Sequence, residues 1–190
     1  MAVITVSRQL GSLGCDIADA VARQLGYQKV WRGLINKAAR RARTPGMALD
    51  MLDDLGLLGL KPSLSEEKAY LGAIRELIEE LARAGDVLIV GRGGQAVLRG
   101  WPDSLHVRII APLDVRVERL VGRHGISAEA ALARIQASDR RRVRFVEDAY
   151  HVDWNDPALY DLVLNSASLD VTRAAGLICH AVASMAGVRE

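Results

Sequence analysis

The 190-residue sequence predicts an α/β domain built on a parallel sheet, and three observations carry that expectation. Short apolar runs alternate with helical stretches along the chain, the pattern of strand–helix–strand units. One of those runs, VLIVG (Val87 to Gly91), shows no polar alternation, as a strand covered on both faces requires. The first 26 residues lay out a strand, a glycine-bearing turn and an amphipathic helix in immediate succession.

In chain order, Val3, Ile4 and Val6 form the first strand. Gly11, Ser12 and Gly14 make a turn with little Cβ obstruction. The helix after it carries Ile17, Val21, Ala22 and Leu25 on one face and stops at Gly26. YQKVW (Tyr27 to Trp31) is a weaker strand, followed after VLIVG by LHVRII (Leu105 to Ile110) and YDLVLN (Tyr160 to Asn165). Helices are expected at about 114–123 and 169–186, the latter facing inward through Ala174, Ala175, Ile178 and Val182. The segment between the second and third strands, Arg32 to Gly85, is too long for a simple crossover and reads as an inserted helical lobe. It starts basic, passes a turn at Thr44-Pro45-Gly46 and the glycine-rich GLLGLKPSLS, and then enters a helix through a capping box of Ser63 and Glu66. That helix carries Tyr70, Ile74, Leu77, Ile78 and Leu81 on one stripe.

Composition narrows the function. Half of the residues are hydrophobic, which supplies a full core. No apolar run reaches membrane-spanning length and no secretory signal is legible, so a cytoplasmic location is expected. Cys15 and Cys179 lack metal-ligand spacing and fit a reducing compartment. A net charge of +2 gives little support to nucleic-acid binding.

The candidate chemistry lies in three places. The glycine turn aims backbone N–H groups and a helix N-terminus at one spot, which suits a phosphate, although an ordinary tight βα turn has the same composition. It has the form of a P-loop without its lysine: Cys15 follows Gly14, and Asp16 takes the usual Ser/Thr place. Arg8, just before the turn, is a candidate for the missing charge or else a surface residue. Arg92 follows the strongest strand between glycines, at the carboxyl end of the sheet where ligands bind; it suits a phosphate or a neighbouring carboxylate. SDRRRVRF holds Asp139, Arg140, Arg141, Arg142 and Arg144 on a helix expected from Ser127, with Leu132 and Ile135 inward. Arg140 and Arg144 share a face there and could neutralise a phosphoryl group in flight; a solvated helix face and a nucleic-acid patch are the alternatives. Cys15 as a nucleophile lacks a histidine nearby in sequence to act as its base.

SRQLGSLGCDIADAVARQLG, LIVGRGGQAVL, LHVRIIAPLDVRVERL, the arginine run and DWNDPALYDLVLNSASLD together resemble the cytidylate kinase-like family, a branch of the P-loop nucleoside monophosphate kinases. The resemblance implies a P-loop NTPase-like three-layer fold with a parallel five-stranded sheet in the order 2-3-1-4-5. It implies one domain, with a helical acceptor lobe at about 32–85 and a lid at about 122–148. By similarity, Arg8 and the loop Gly11, Ser12, Leu13, Gly14, Cys15 and Asp16 would hold the phosphates of ATP, with Arg119 and Arg123 near the donor base. Arg92, Asp139 and Arg32 would contact the acceptor, and Arg92, Arg140 and Arg144 would serve catalysis.

The implied cofactors are ATP and Mg²⁺, while no His, Asp or Glu cluster in the sequence has metal-ligand spacing. The implied activity is γ-phosphoryl transfer to CMP or a related monophosphate, or a nucleotide-binding regulatory module that has lost turnover. The partner is a small-molecule nucleotide, with neither nucleic acid nor membrane, and a homo-oligomer is left open. The family pattern also differs at Cys15, where relatives carry arginine or lysine, at Trp31, where they tend to have aspartate, and at Asp16, where a metal-binding hydroxyl is usual.

Overall fold

The computed structural model describes residues 2–44 and 63–186. The turn expected at Pro45 and Gly46 and the glycine-rich stretch as far as Pro62 lie outside the described residues.

Burial on both faces explains why Val87–Val90 reads as a plain apolar run. β1 (Val3–Arg8) is buried at every position and pairs in parallel with β3 (Val87–Val90) on one side and β4 (Ser104–Ile110) on the other. β2 (Gln28–Val30) adds outside β3, and β5 (Leu162–Asn165) outside β4, both in parallel. The order is β2-β3-β1-β4-β5, as the family resemblance implies. β5 starts two residues later than expected, because Asp156 caps a 3₁₀ turn at Pro157–Leu159 that uses up the approach to it.

Strand alternation assigns the helices to two layers. Ile4 and Val6 point to the side of α1 (Gly14–Leu25) and α7 (Val171–Ala186), where they pack with Ile17, Val21 and Ile178. Val3, Val87 and Ile89 point to the opposite side, against α2 (Arg32–Ala42) and α3 (Leu64–Ala84), through Leu34, Tyr70, Ile74 and Leu77. The capping box at the start of α3 is present as expected: Ser63 Oγ accepts from the Glu66 N–H, and the Glu66 carboxylate accepts from the Ser63 N–H at 2.8 Å. Gly26 closes α1 in the left-handed conformation, its N–H donating to Ala22 O.

The short α4 (Gly94–Val97) follows β3. α5 (Leu113–His124) and α6 (Ala128–Tyr150) form a pair with its own small core of Leu120, Ala131 and Ile135. Ala131 rather than Leu132 joins Ile135 inside it. Among the described residues, no helix is long and apolar enough to cross a membrane.

One buried imidazole couples this core to pH. His106, in β4, sits with Nδ1 2.8 Å from Thr5 Oγ1, while its backbone N–H donates to the Asp161 carboxylate at 2.6 Å. Burial lowers the imidazole below its ordinary pKa of 6.5, and Asp161 opposes that shift more weakly. The unfolded chain therefore takes up this proton first as pH falls. The contribution is intact above the ordinary value and lost as pH drops below it toward the folded-state pKa. The urea midpoint is expected to fall between about pH 7.5 and about pH 5.5, with a shallower slope in His106→Gln across the same window.

Candidate active site

The site begins where β1 runs out. Gln9 continues the sheet through its N–H to Ile109 O at 3.1 Å, and its side-chain Oε1 accepts from the Ala111 N–H. The chain then doubles back. Ser12, fully buried, donates its N–H and its Oγ to Gln9 O at 3.3 and 2.9 Å. Gly11 permits this turn at φ +82°, with Arg116 O only 2.9 Å from where a Cβ would stand. Leu13 enters α1 in the left-handed region at φ 57°. The N–H groups of Leu13, Gly14, Cys15 and Asp16 find no acceptor among the described residues, so four donors and the positive end of α1 face one space.

That space is a cavity of about 340 Å³, lined by the loop together with Arg8, Trp31, Arg119, Arg123, His124 and Arg142. Asp16 is the single carboxylate among those lining residues, and Arg123 holds it in a two-pronged contact at 2.9 and 3.2 Å. Hydrogen bonding to Asp16 in turn raises the Arg123 pKa. Arg119 braces the loop instead of standing free: it donates to Gly11 O at 3.3 Å, Ser166 Oγ at 2.9 Å and Ser166 O at 2.7 Å.

A smaller recess adjoins this cavity and shares Arg8 and Arg142 with it. Its other walls include Arg92, Gln95, Phe145 and Trp154. Arg92 is carried on a turn in which Gly91, Arg92 and Gly93 all have left-handed φ (74°, 60° and 67°). For a non-glycine residue that conformation costs roughly 1–2 kcal/mol, a strain of the kind found at ligand clamps. Tyr150, the last residue of α6, secures the turn by donating its hydroxyl to Arg92 O at 2.9 Å. Burial raises the Tyr150 hydroxyl far above its ordinary range, so it stays a donor.

The wall behind the recess is a network that sequence reasoning did not assemble. The Trp154 indole N–H donates to Ser7 Oγ at 2.8 Å, and Arg108 stacks on that indole with its guanidinium 4.1 Å from the ring centroid. Arg108 also donates to Trp154 O and to Asn155 Oδ1. The DWND segment is thus pinned against the ends of β1 and β4.

Arg140 and Arg144 lie on the exposed side of α6 and line neither recess; Arg142 does. Residues two apart on a helix face nearly opposite ways, and Arg142 continues the buried stripe of Ala131, Ile135, Ser138 and Val146. That spacing was the available signal. Asp139 is held by Arg116, with Nη1 2.6 Å from Oδ2, and its Oδ1 is 3.8 Å from Arg142 Nη1. It ties α6 to α5 rather than offering a free carboxylate to an acceptor. Arg32 opens α2, and Arg8, Gly11, Leu13, Gly14, Cys15 and Asp16 all line the cavity, with Ser12 buried beneath it. No group of three or more His, Cys, Asp or Glu residues gathers as a metal cluster among the described residues.

Residues 3–168 match the cytidylate kinase-like family. The chain belongs to that family. Similar members include the cytidylate kinase of Pyrococcus horikoshii, 32% identical over 168 residues, covering 87% of this chain and 80% of that one. The cytidylate kinase of Methanopyrus kandleri is 32% identical over 173 residues, covering 87% and 84%. Among solved structures, an uncharacterized protein from Eubacterium ventriosum aligns with a TM-score of 0.76 at 19% identity, covering 97% of this chain and 99% of that one. A shikimate kinase from Bacteroides thetaiotaomicron aligns at 0.56 and 13%, covering 96% and 98%. These two likenesses bear on the fold of the family member alone.

The Arg116–Asp139 contact yields a stability prediction. Their side chains are 8% and 21% exposed, so Asp139→Ala strands a buried guanidinium. A loss of roughly 2–3 kcal/mol is expected in urea unfolding, with a smaller loss for Asp139→Asn. Unchanged stability together with a raised acceptor KM would instead place Asp139 among the substrate contacts.

Proposed function

We propose that this family member is an ATP-dependent phosphotransferase of the nucleoside monophosphate kinase type, moving the γ-phosphoryl group to CMP or a related monophosphate. The observation that carries this reading is the pair of adjoining recesses. One is faced by four amides at a helix N-terminus that are unpaired among the described residues, the other by Arg92, and both share Arg8 and Arg142. In this reading the loop amides take the donor phosphates, Arg92 takes the acceptor phosphate, and the guanidiniums between them face the group in transit. The segment at about 32–85 serves as the acceptor lobe, and that at about 122–148 as the lid.

An acceptor phosphate oxygen attacks the γ-phosphorus while the bond to the β-bridging oxygen breaks and ADP leaves. The acceptor is already anionic, so no side chain has to remove a proton. The protein's contribution is placement, exclusion of water and positive charge.

The polyphosphate part of ATP fits the cradle of unpaired amides. Mg²⁺ fits less well: among the described residues Asp16 is the sole carboxylate lining the cavity, and Arg123 already engages it. No step above depends on the metal. A regulatory module that binds nucleotide without turnover is the second reading, favoured by Cys15 in the place of the loop lysine.

A coupled assay with ATP and a panel of monophosphates tests the proposal. Arg92→Ala is expected to lower kcat/KM by roughly 10²–10³-fold, and Arg142→Ala to cost more than Arg140→Ala. Nucleotide binding by calorimetry with no turnover of any monophosphate selects the regulatory reading instead.

A further inference from the structure

The loop lacks its lysine, and the buried cation nearest to replacing it comes from the strand before it. We infer that Arg8 is the cation on which the polyphosphate chain rests, and that Trp31 is a positioning residue that holds Arg8 without neutralising it. This rests on the phosphotransferase reading and names the residues that let the site work without a loop lysine.

Arg8 is the last residue of β1 and only 8% exposed. Its path is closely fixed. A Cβ at Gly14 would come within 2.4 Å of Arg8 Cβ, and one at Gly91 within 2.7 Å of Arg8 Nη1. The stem is therefore clamped beneath the first residue of α1, and the guanidinium lies against the turn that carries Arg92. This places one planar fork at the boundary of the two recesses, both of which it lines.

The charge on that fork is uncancelled. A buried arginine ordinarily meets a carboxylate. Among the described residues the Arg8 side chain has neither an ion-pair nor a hydrogen-bond partner, and its Nε is one of the buried atoms left unsatisfied. The other guanidiniums of the cavity are engaged: Arg123 by Asp16, Arg119 by the carbonyls of Gly11 and Ser166, and Arg142 within 3.8 Å of Asp139.

What Arg8 does have is the Trp31 ring, with its guanidinium carbon 5.4 Å from the centroid. An aromatic face attracts a cation through its quadrupole and leaves the full positive charge in place; a carboxylate at that position would quench it. The ligand class that satisfies a desolvated fork beside four amide donors is a chain of phosphates, gripped bidentately.

Binding separates this inference from the activity. Sodium tripolyphosphate and ATP are titrated calorimetrically into the full chain and into Arg8→Gln, Trp31→Asp and Trp31→Phe, each checked by circular dichroism and melting. Arg8→Gln is expected to weaken tripolyphosphate about 10–100-fold, as loss of a charged hydrogen-bond donor does. Trp31→Asp should reproduce much of that loss at higher KM for ATP, while Trp31→Phe, which keeps an aromatic face, rescues binding to within about threefold of the parent. If Arg8→Gln fails to fold, the comparison of the two Trp31 variants decides.

A folded Arg8→Gln that binds tripolyphosphate like the parent overturns the inference, as does a Trp31→Asp indistinguishable from Trp31→Phe; phosphoryl transfer by the parent then still stands. Loss of binding in Arg8→Gln when the parent shows no turnover supports the inference and removes the kinase reading. A parent chain that binds neither compound overturns both.

Discussion

A guanidinium sealed under a helix N-terminus, with no counter-charge among the described residues, is the constraint around which the rest of the site is arranged. Arg8 can occupy its position because residues 14 and 91 carry no side chains to obstruct it. Its backbone belongs to the central strand, paired on both sides, so the sheet holds the cation in place through the most buried part of the fold. The same strand hands the chain to the loop whose amides point into the cavity. Strand, loop and helix thus place full and partial positive charges in one space, and the apolar core beneath offsets the cost of keeping them dry.

Negative charge around this centre is tied up. Asp16 stands in the first turn of α1, where the dipole favours an anion, and Arg123 covers it from α5. That pair is largely exposed and contributes little to stability; its effect is to offset a carboxylate at the cavity mouth. Asp139 stands deeper, with Arg116 buried against it, and so joins the two helices. The outcome is a cavity wall with more cation than anion on a chain whose net charge is only +2.

Much of this was legible in the sequence, for physical reasons. A strand buried on both faces is largely apolar, so VLIVG announces itself, and local chemistry marks the start of α3 at Ser63 and the stop of α1 at Gly26. Loop, Arg8 and Arg92 could be grouped because strand order brings the carboxyl ends of β1 and β3 side by side. Charge density singled out Arg140 and Arg144, whereas the inward stripe of the helix runs through Arg142. Arg108 and Arg116 were invisible for a different reason. Their partners Trp154 and Asp139 lie 46 and 23 residues away, and only tertiary packing reveals such matches.

The contact between Tyr150 and the Arg92 turn has a consequence for variation in the chain. A Cβ on residue 93 would lie 2.0 Å from the Tyr150 ring, and that residue also needs a left-handed φ of 67°. Glycine at 93 and a large aromatic at 150 are therefore a matched set, although 56 positions separate them and one sits beside a strand while the other ends a helix. Any side chain at 93 would have to displace this tyrosine ring. A larger residue at 93 would be accommodated only together with a smaller one at 150, so the two positions can change only as a pair.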